Sequence, residues 1–287
     1  MNITVRRLWR SRIAAASVLA VGTLLLGSLV PASAVADDEV TDPATIAALL
    51  EQENHTMGSQ VRKHEPVDPA MRDFDPSDVG ATATVPGIDV ASYQGNVNWA
   101  TQWSNGKRFA YVKATEGTSY TNPYFAQQYN GSYNVGMIRG AYHFALPNNS
   151  SGAAQANYFV DHGGGWSADG KTLPGALDIE YNPYGATCYG LSDAAMVSWI
   201  RSFSDTYHSR TGRWPVIYTT TDWWSNCTGN QGDFSSTNPL WVARYASSVG
   251  TLPYNWGFHT FWQYTSTPLD QNTFNGAMDR LQVLAKG

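Results

Sequence analysis

The sequence predicts an α/β barrel with a degenerate second half, and three observations carry that reading. From Val85 to Thr220 short β-rich runs alternate with longer helical or loop stretches, the pattern of a parallel sheet covered by helices. Beyond Thr220 the strand candidates are separated by aromatic and glycine-rich loops without a strong amphipathic helix. The first strand is followed by no glycine-rich turn of the dinucleotide or P-loop kind, with only Gly87 before it and Gly95 past its end, so a doubly wound sheet fits less well.

The elements follow in chain order. Arg6, Arg7, Arg10 and Arg12 precede an uncharged, largely apolar run from Ile13 to Val30 that ends in Pro31-Ala32-Ser33-Ala34. That is the build of a signal peptide over residues 1–34, cleaved after Ala34; the alternative, a single membrane anchor, lacks a reason for the small-residue site. The mature protein is therefore expected to be secreted and extracellular, with no membrane partner once cleaved. Residues 35–83 hold 11 acids against 3 bases, with Phe74 as their single aromatic residue. An acidic pre-domain or pro-segment, poorly ordered or removed after export, is expected there, with a short helix possible over 42–51.

Residues 84–287 form the predicted barrel domain. Its strand candidates are Gly87–Ser92, Phe109–Thr115, Ile138–Ala145, Leu173–Glu180, Pro215–Thr220, Leu240–Ala246 and His259–Thr265, with a helix over Leu191–Thr211 opened by a Ser192 or Asp193 cap. The domain carries 10 Trp, 16 Tyr and 9 Phe, enough to fill one core and leave aromatic rings for a cleft. Its net charge of −1, with no basic stripe, gives no footing for nucleic acid. Cys188 and Cys227, an even pair in an exported domain, read as a disulfide. No repeat of fixed period is present, and a monomer is expected.

Chemistry concentrates in Leu173-Pro174-Gly175-Ala176-Leu177-Asp178-Ile179-Glu180, an apolar strand ending in two carboxylates. In a strand, residues i and i+2 share a face with Cα atoms about 6.5 Å apart. In a barrel that face opens at the carboxyl-terminal rim, where such folds keep their sites. Two close carboxylates in a partly desolvated site repel, so one keeps its proton near neutral pH and the other ionises, the pair that glycoside cleavage needs. Alone, an Asp-x-Glu serves equally as a metal pair or a solvated strand end. Asp89, which ends the first strand in the same way, brings a third acid to the rim, although a strand-end hydrogen bond would also explain it.

A resemblance adds to this reading. Gly87-Ile88-Asp89-Val90-Ala91-Ser92-Tyr93-Gln94-Gly95, Phe109-Ala110-Tyr111-Val112-Lys113-Ala114-Thr115-Glu116-Gly117, Arg139-Gly140-Ala141-Tyr142-His143-Phe144 and Leu177-Asp178-Ile179-Glu180 together resemble the family 25 glycoside hydrolases, the Chalaropsis-type lysozymes. The likeness runs from about Pro86 to the carboxyl terminus and is strongest to secreted actinomycete members. It implies a flattened TIM-like barrel of five β/α units followed by three strands lacking full helices. It also implies cleavage of the β-1,4 bond from N-acetylmuramic acid to N-acetylglucosamine in bacterial peptidoglycan, with retention of configuration. Carried over, Glu180 matches the general acid/base, Asp178 the second catalytic carboxylate, Asp89 the first-strand acid, and Asp270 an acid near the cleft, though Asp270 also reads as a surface turn residue. Ser92 and Tyr93 depart from the histidine and tryptophan that close relatives tend to carry there.

Tyr93, Tyr142, Tyr218, Trp241 and Gln263, at or near strand ends, are candidate sugar contacts: flat rings cover pyranose faces while amides read hydroxyls. His143, Lys113 and Glu116 read as core or ion-pair residues. No His, Cys, Asp or Glu spacing matches a zinc site and no G-x-S-x-G elbow is present, so no metal and no cofactor are expected. The rival to an enzyme is a non-catalytic carbohydrate-binding barrel, against which stands the presence of both Asp178 and Glu180.

Overall fold

The computed structural model describes residues 55–69 and 84–287. The expected signal peptide and the possible helix over 42–51 lie outside the described residues. Nine strands build one sheet: β1 (Val85–Val90), β2 (Phe109–Glu116), β3 (Tyr120–Thr121), β4 (Ile138–Phe144), β5 (Ala176–Asp178), β6 (Val216–Thr219), β7 (Leu240–Ala243), β8 (Phe261–Thr265) and β9 (Gln271–Phe274). Their order, β1-β9-β8-β7-β6-β5-β4-β2 with β1 pairing back onto β2, closes an eight-stranded barrel. The short β3 is a hairpin arm on the end of β2.

The first five barrel strands are each followed by a helix: α2 (Trp99–Ser104), α3 (Phe125–Asn134), α4 (Gly152–Phe159), α5 (Asp193–Thr211) and α6 (Thr221–Thr228). No helix separates β7, β8 and β9, and α7 (Met278–Lys286) ends the chain. This is the five-plus-three architecture expected. β9 runs antiparallel to both β8 and β1, so the sheet is mixed where parallel strands were expected.

The barrel interior is aromatic. Phe109, Tyr111, Tyr142, Tyr218, Trp241 and Phe261 are buried together inside, whereas Leu177, Ile179, Ile217 and Val242 pack with Phe159, Ile200 and Phe203 of the surrounding helices. Two inward glycines make room for the rings. A Cβ on Gly87 would lie 2.4 Å from the Phe109 ring, and one on Gly140 2.4 Å from Tyr111. Ser192 caps α5 by accepting from the Ala195 amide, and Gly212 ends it at φ 73°, where glycine carries no Cβ penalty. The Cys188–Cys227 disulfide forms across a sequence separation of 39, tying the loop after β5 to the end of α6. In the chain-entropy model a loop of that size is worth about 4 kcal/mol.

Residues 55–69 correct one expectation. They fall in the stretch expected to lack order, yet they form a turn and a one-turn helix, α1 (Val61–His64), packed on the barrel. Met57 is fully buried and Val61 is 1% exposed, sharing a cluster with Tyr142, Tyr218 and Tyr245. Composition missed this because the segment has almost no core of its own; the apolar surface that orders it belongs to the barrel. Among the described residues no helix is long and apolar enough to cross a membrane.

Candidate active site

The alternation along β5 and its extension sets the site. Leu177 and Ile179 face the helices, so Ala176, Asp178 and Glu180 face the barrel axis. The strand is shorter than the sequence predicted, starting at Ala176 after the Pro174-Gly175 pair and ending at Asp178. Ile179 still donates to the Tyr218 carbonyl at 3.0 Å, which holds Glu180 on the same face just past the ladder.

Asp178 and Glu180 are fully buried. Both Asp178 oxygens and Oε2 of Glu180 have no hydrogen-bond partner, while Glu180 Oε1 accepts from the Gly58 amide at 2.6 Å. Buried polar atoms are nearly always paired, and unpaired carboxyl oxygens aimed into a barrel mouth mark a place kept for something else to bind. Burial lifts both carboxyls, Glu180 to about 8 and Asp178 well above its usual range, with repulsion from Glu180 adding to the rise at Asp178. Lys113 pulls the other way. The pair therefore retains a proton near neutral pH and titrates as a unit.

Beside it, Asp89 is the centre of a polar network. Its Oδ2 accepts from Gln263 Nε2 at 2.9 Å and from Asn272 Nδ2 at 2.6 Å. Gln263 Oε1 accepts from the hydroxyls of Tyr218 at 2.8 Å and Tyr245 at 2.9 Å, and Asn272 Oδ1 accepts from Trp241 Nε1 at 3.0 Å. Each amide is thus fixed in orientation with its nitrogen toward Asp89. Burial raises Asp89 to about 6, the two amide donors limiting the rise, so it is mostly ionised at pH 7. Its charge in turn raises Asp178 and Asp270, whose carboxyls are also lifted chiefly by burial. Four acids from β1, β5 and the loop before β9 converge, and the environment keeps protons on some while Asp89 carries charge.

The predicted contact residues separate by exposure. Tyr142, Tyr218 and Gln263 are fully buried, and Asp270 borders a crevice with Tyr93, which stands at the rim and is 46% exposed. Trp241 is buried, packed against Tyr111 and edge-on to Tyr218, and joins the Asp89 network through Asn272. Lys113 and Glu116 make a buried ion pair at 2.6 Å, with the Tyr184 hydroxyl on the other Glu116 oxygen. His143 turns away from the axis to Thr115 and Gln155, and burial lowers it to about 3, leaving a neutral core histidine. Two members were not singled out from sequence. Tyr245 was legible in principle, being two steps of two beyond Trp241 on one face; Asn272 was not, because β9 is a four-residue, mostly polar strand. Among the described residues no group of three or more His, Cys, Asp or Glu is arranged to hold a metal.

Comparison with known proteins identifies the family. The profile of the glycosyl hydrolases family 25 matches residues 88–272. The chain is 53% identical over 211 residues to an N,O-diacetylmuramidase of Chalaropsis sp., covering 71% of this chain and all of that one. It is 48% identical over 237 residues to lysozyme M1 of Streptomyces globisporus, covering 80% of each. Among solved structures, a muramidase from Acremonium alcalophilum superposes with a TM-score of 0.70 at 61% identity, covering 71% of this chain and 99% of that one. The bacterial lysozyme from Streptomyces coelicolor gives 0.70 at 51% identity, covering 71% and 98%. On fold and sequence, the chain belongs to family 25 of the glycosyl hydrolases and is a glycoside hydrolase.

Proposed function

We propose that this glycosidase is a secreted peptidoglycan muramidase, cleaving the β-1,4 bond between N-acetylmuramic acid and N-acetylglucosamine with retention of configuration. The observation that carries the proposal is the Asp178–Glu180 pair: two buried carboxyls on one strand face, with three of four oxygens unpaired at the barrel mouth. In this reading protonated Glu180 gives its proton to the glycosidic oxygen as the bond to C1 breaks. Asp178, on the same face, stabilises the positive charge that develops, by orienting the substrate's own 2-acetamido group for attack on C1 or by bonding to C1 itself. Glu180, now ionised, then takes a proton from the water that releases the sugar. Asp89, held by Gln263 and Asn272, favours retention of the one proton that the Asp178–Glu180 pair shares and that Glu180 donates.

Tyr142, Tyr218, Gln263, Asp270 and Tyr93 are the proposed sugar contacts, and no metal or cofactor takes part. The basic and apolar amino terminus supports export, and the proposed partner is the glycan strand of the bacterial wall, met by a monomer. The test is mass analysis of the reducing ends produced from purified peptidoglycan. Muramic acid ends are expected; glucosamine ends would make the enzyme a glucosaminidase.

A further inference from the structure

A hydrolase of a polymer must open its cleft to the chain it cuts, yet here Asp178 and Glu180 are wholly covered. Over Glu180 lie residues 55–69. The Gly58 amide donates to Glu180 Oε1, the group that must instead face a glycosidic oxygen. On either side of that bond the Met57 amide donates to the Tyr142 hydroxyl at 3.3 Å and the Gly58 carbonyl accepts from the Tyr245 hydroxyl at 3.3 Å. Gly58 is required for so close an approach. It sits at φ +77°, and a Cβ there would lie 2.5 Å from Gln263 Oε1, 2.5 Å from the Tyr245 hydroxyl and 2.7 Å from that of Tyr218.

The segment is also fastened around the rim. Lys113 donates to the His55 carbonyl, and Tyr181 donates to Glu65 at 2.7 Å while its ring stacks on His64 at 4.1 Å. Arg62 donates to Ser266 at 2.8 Å and Thr267 at 2.9 Å, and the Asp68 amide donates to the Tyr245 carbonyl at 3.1 Å. These anchors come from β2 and from the loops after β5, β7 and β8, so the strap crosses the mouth rather than touching one edge. The match to lysozyme M1 spans 80% of this chain, more than residues 84–287 comprise, so that likeness reaches ahead of the barrel.

We infer that residues 55–69 are an inhibitory pro-segment that occupies the glycan cleft and is relieved when it leaves the barrel. This rests on the muramidase reading of the cleft. The mechanism is intramolecular competition: a short connection holds the segment at a local concentration on the order of mM, which a cut followed by dilution abolishes. Loss of the segment uncovers Glu180 and the tyrosines together, because the same four residues, Met57, Gly58, Val61 and Arg62, span them.

The test compares three forms of the full exported chain on purified peptidoglycan at nM enzyme. They are the wild type, Gly58→Val, and a chain with a specific protease site inserted between Pro69 and Thr84, assayed before and after cutting. Gly58 lies outside the barrel, so its substitution disturbs docking and not the catalytic fold. The wild type and the uncut chain are expected to turn over at least tenfold more slowly than Gly58→Val and the cut chain. Equal, measurable rates in all forms would overturn the inhibition while leaving the muramidase reading intact. Absence of turnover in every form, cut included, would refute the muramidase reading and with it the inhibition.

Discussion

Replacing Glu180 by glutamine should lower activity and raise stability at once, with the second effect depending on pH in a calculable way. Glu180 is fully buried with Oε2 unpaired, and burial raises its carboxyl from 4.5 to about 8. A carboxyl whose folded pKa exceeds its unfolded value holds its proton more tightly when folded, so stability falls as pH rises from 4.5 toward 8. Because Glu180 titrates together with Asp178, the linkage cost belongs to the pair, on the order of 1 kcal/mol at pH 5 and a few kcal/mol at pH 7. Glutamine keeps the shape and can still accept from the Gly58 amide but does not titrate. Urea unfolding of the full chain should therefore show Glu180→Gln gaining on the wild type by about 2 kcal/mol more at pH 7 than at pH 5. Turnover of peptidoglycan by the same variant, with the cleft opened, should fall ~100-fold or more, since the amide has no proton to give the leaving oxygen. Parallel pH–stability profiles, or a variant less stable than wild type at pH 7, would refute the claim that this carboxyl is held in strained burial.

Three further outcomes follow from the same contacts. Asn272→Leu removes one donor from Asp89 and the acceptor of Trp241 Nε1, and should cost ~1–3 kcal/mol in chemical denaturation at pH 7; no loss would mean the network is dispensable. Replacing Cys188 and Cys227 together by alanine should cost up to about 4 kcal/mol, and alkylation of the denatured, non-reduced wild type should find no free thiol. Asp178→Asn should cut the rate of bond cleavage strongly while chitooligosaccharide affinity, measured by calorimetry on the opened chain, changes little; unchanged turnover would remove Asp178 from the mechanism.

Much of this architecture is written in local pattern. The alternation Ala176-Leu177-Asp178-Ile179-Glu180 could be read for facing before any coordinate, because a strand that buries Leu177 and Ile179 against helices must turn its acids inward. The same step of two placed Tyr142 inward and His143 outward. Elements whose order comes from elsewhere in the chain were not legible. β9 is polar and short, and becomes a strand because β8 and β1 leave a gap that its backbone closes. The strap of residues 55–69 owes its order to barrel aromatics distant in sequence, so the acidic, aromatic-poor composition of the 35–83 stretch around it pointed the other way. Trp241, chosen as a sugar contact for its place near a strand end, packs against Tyr111 and Phe261, contacts that no local pattern reports.

Catalysis by two carboxyls from one strand face is tested most directly by the stereochemistry of the first product. Acids on one face permit separations of about 5 to 5.5 Å for a retaining route more readily than the roughly 6.5 to 9.5 Å of direct inversion. Proton NMR of early peptidoglycan digests by the opened enzyme, read before mutarotation, should show β-anomeric reducing ends. If the α-anomer appears first, water is being activated from the opposite side of the ring, and the shared face of Asp178 and Glu180 is not how this enzyme works.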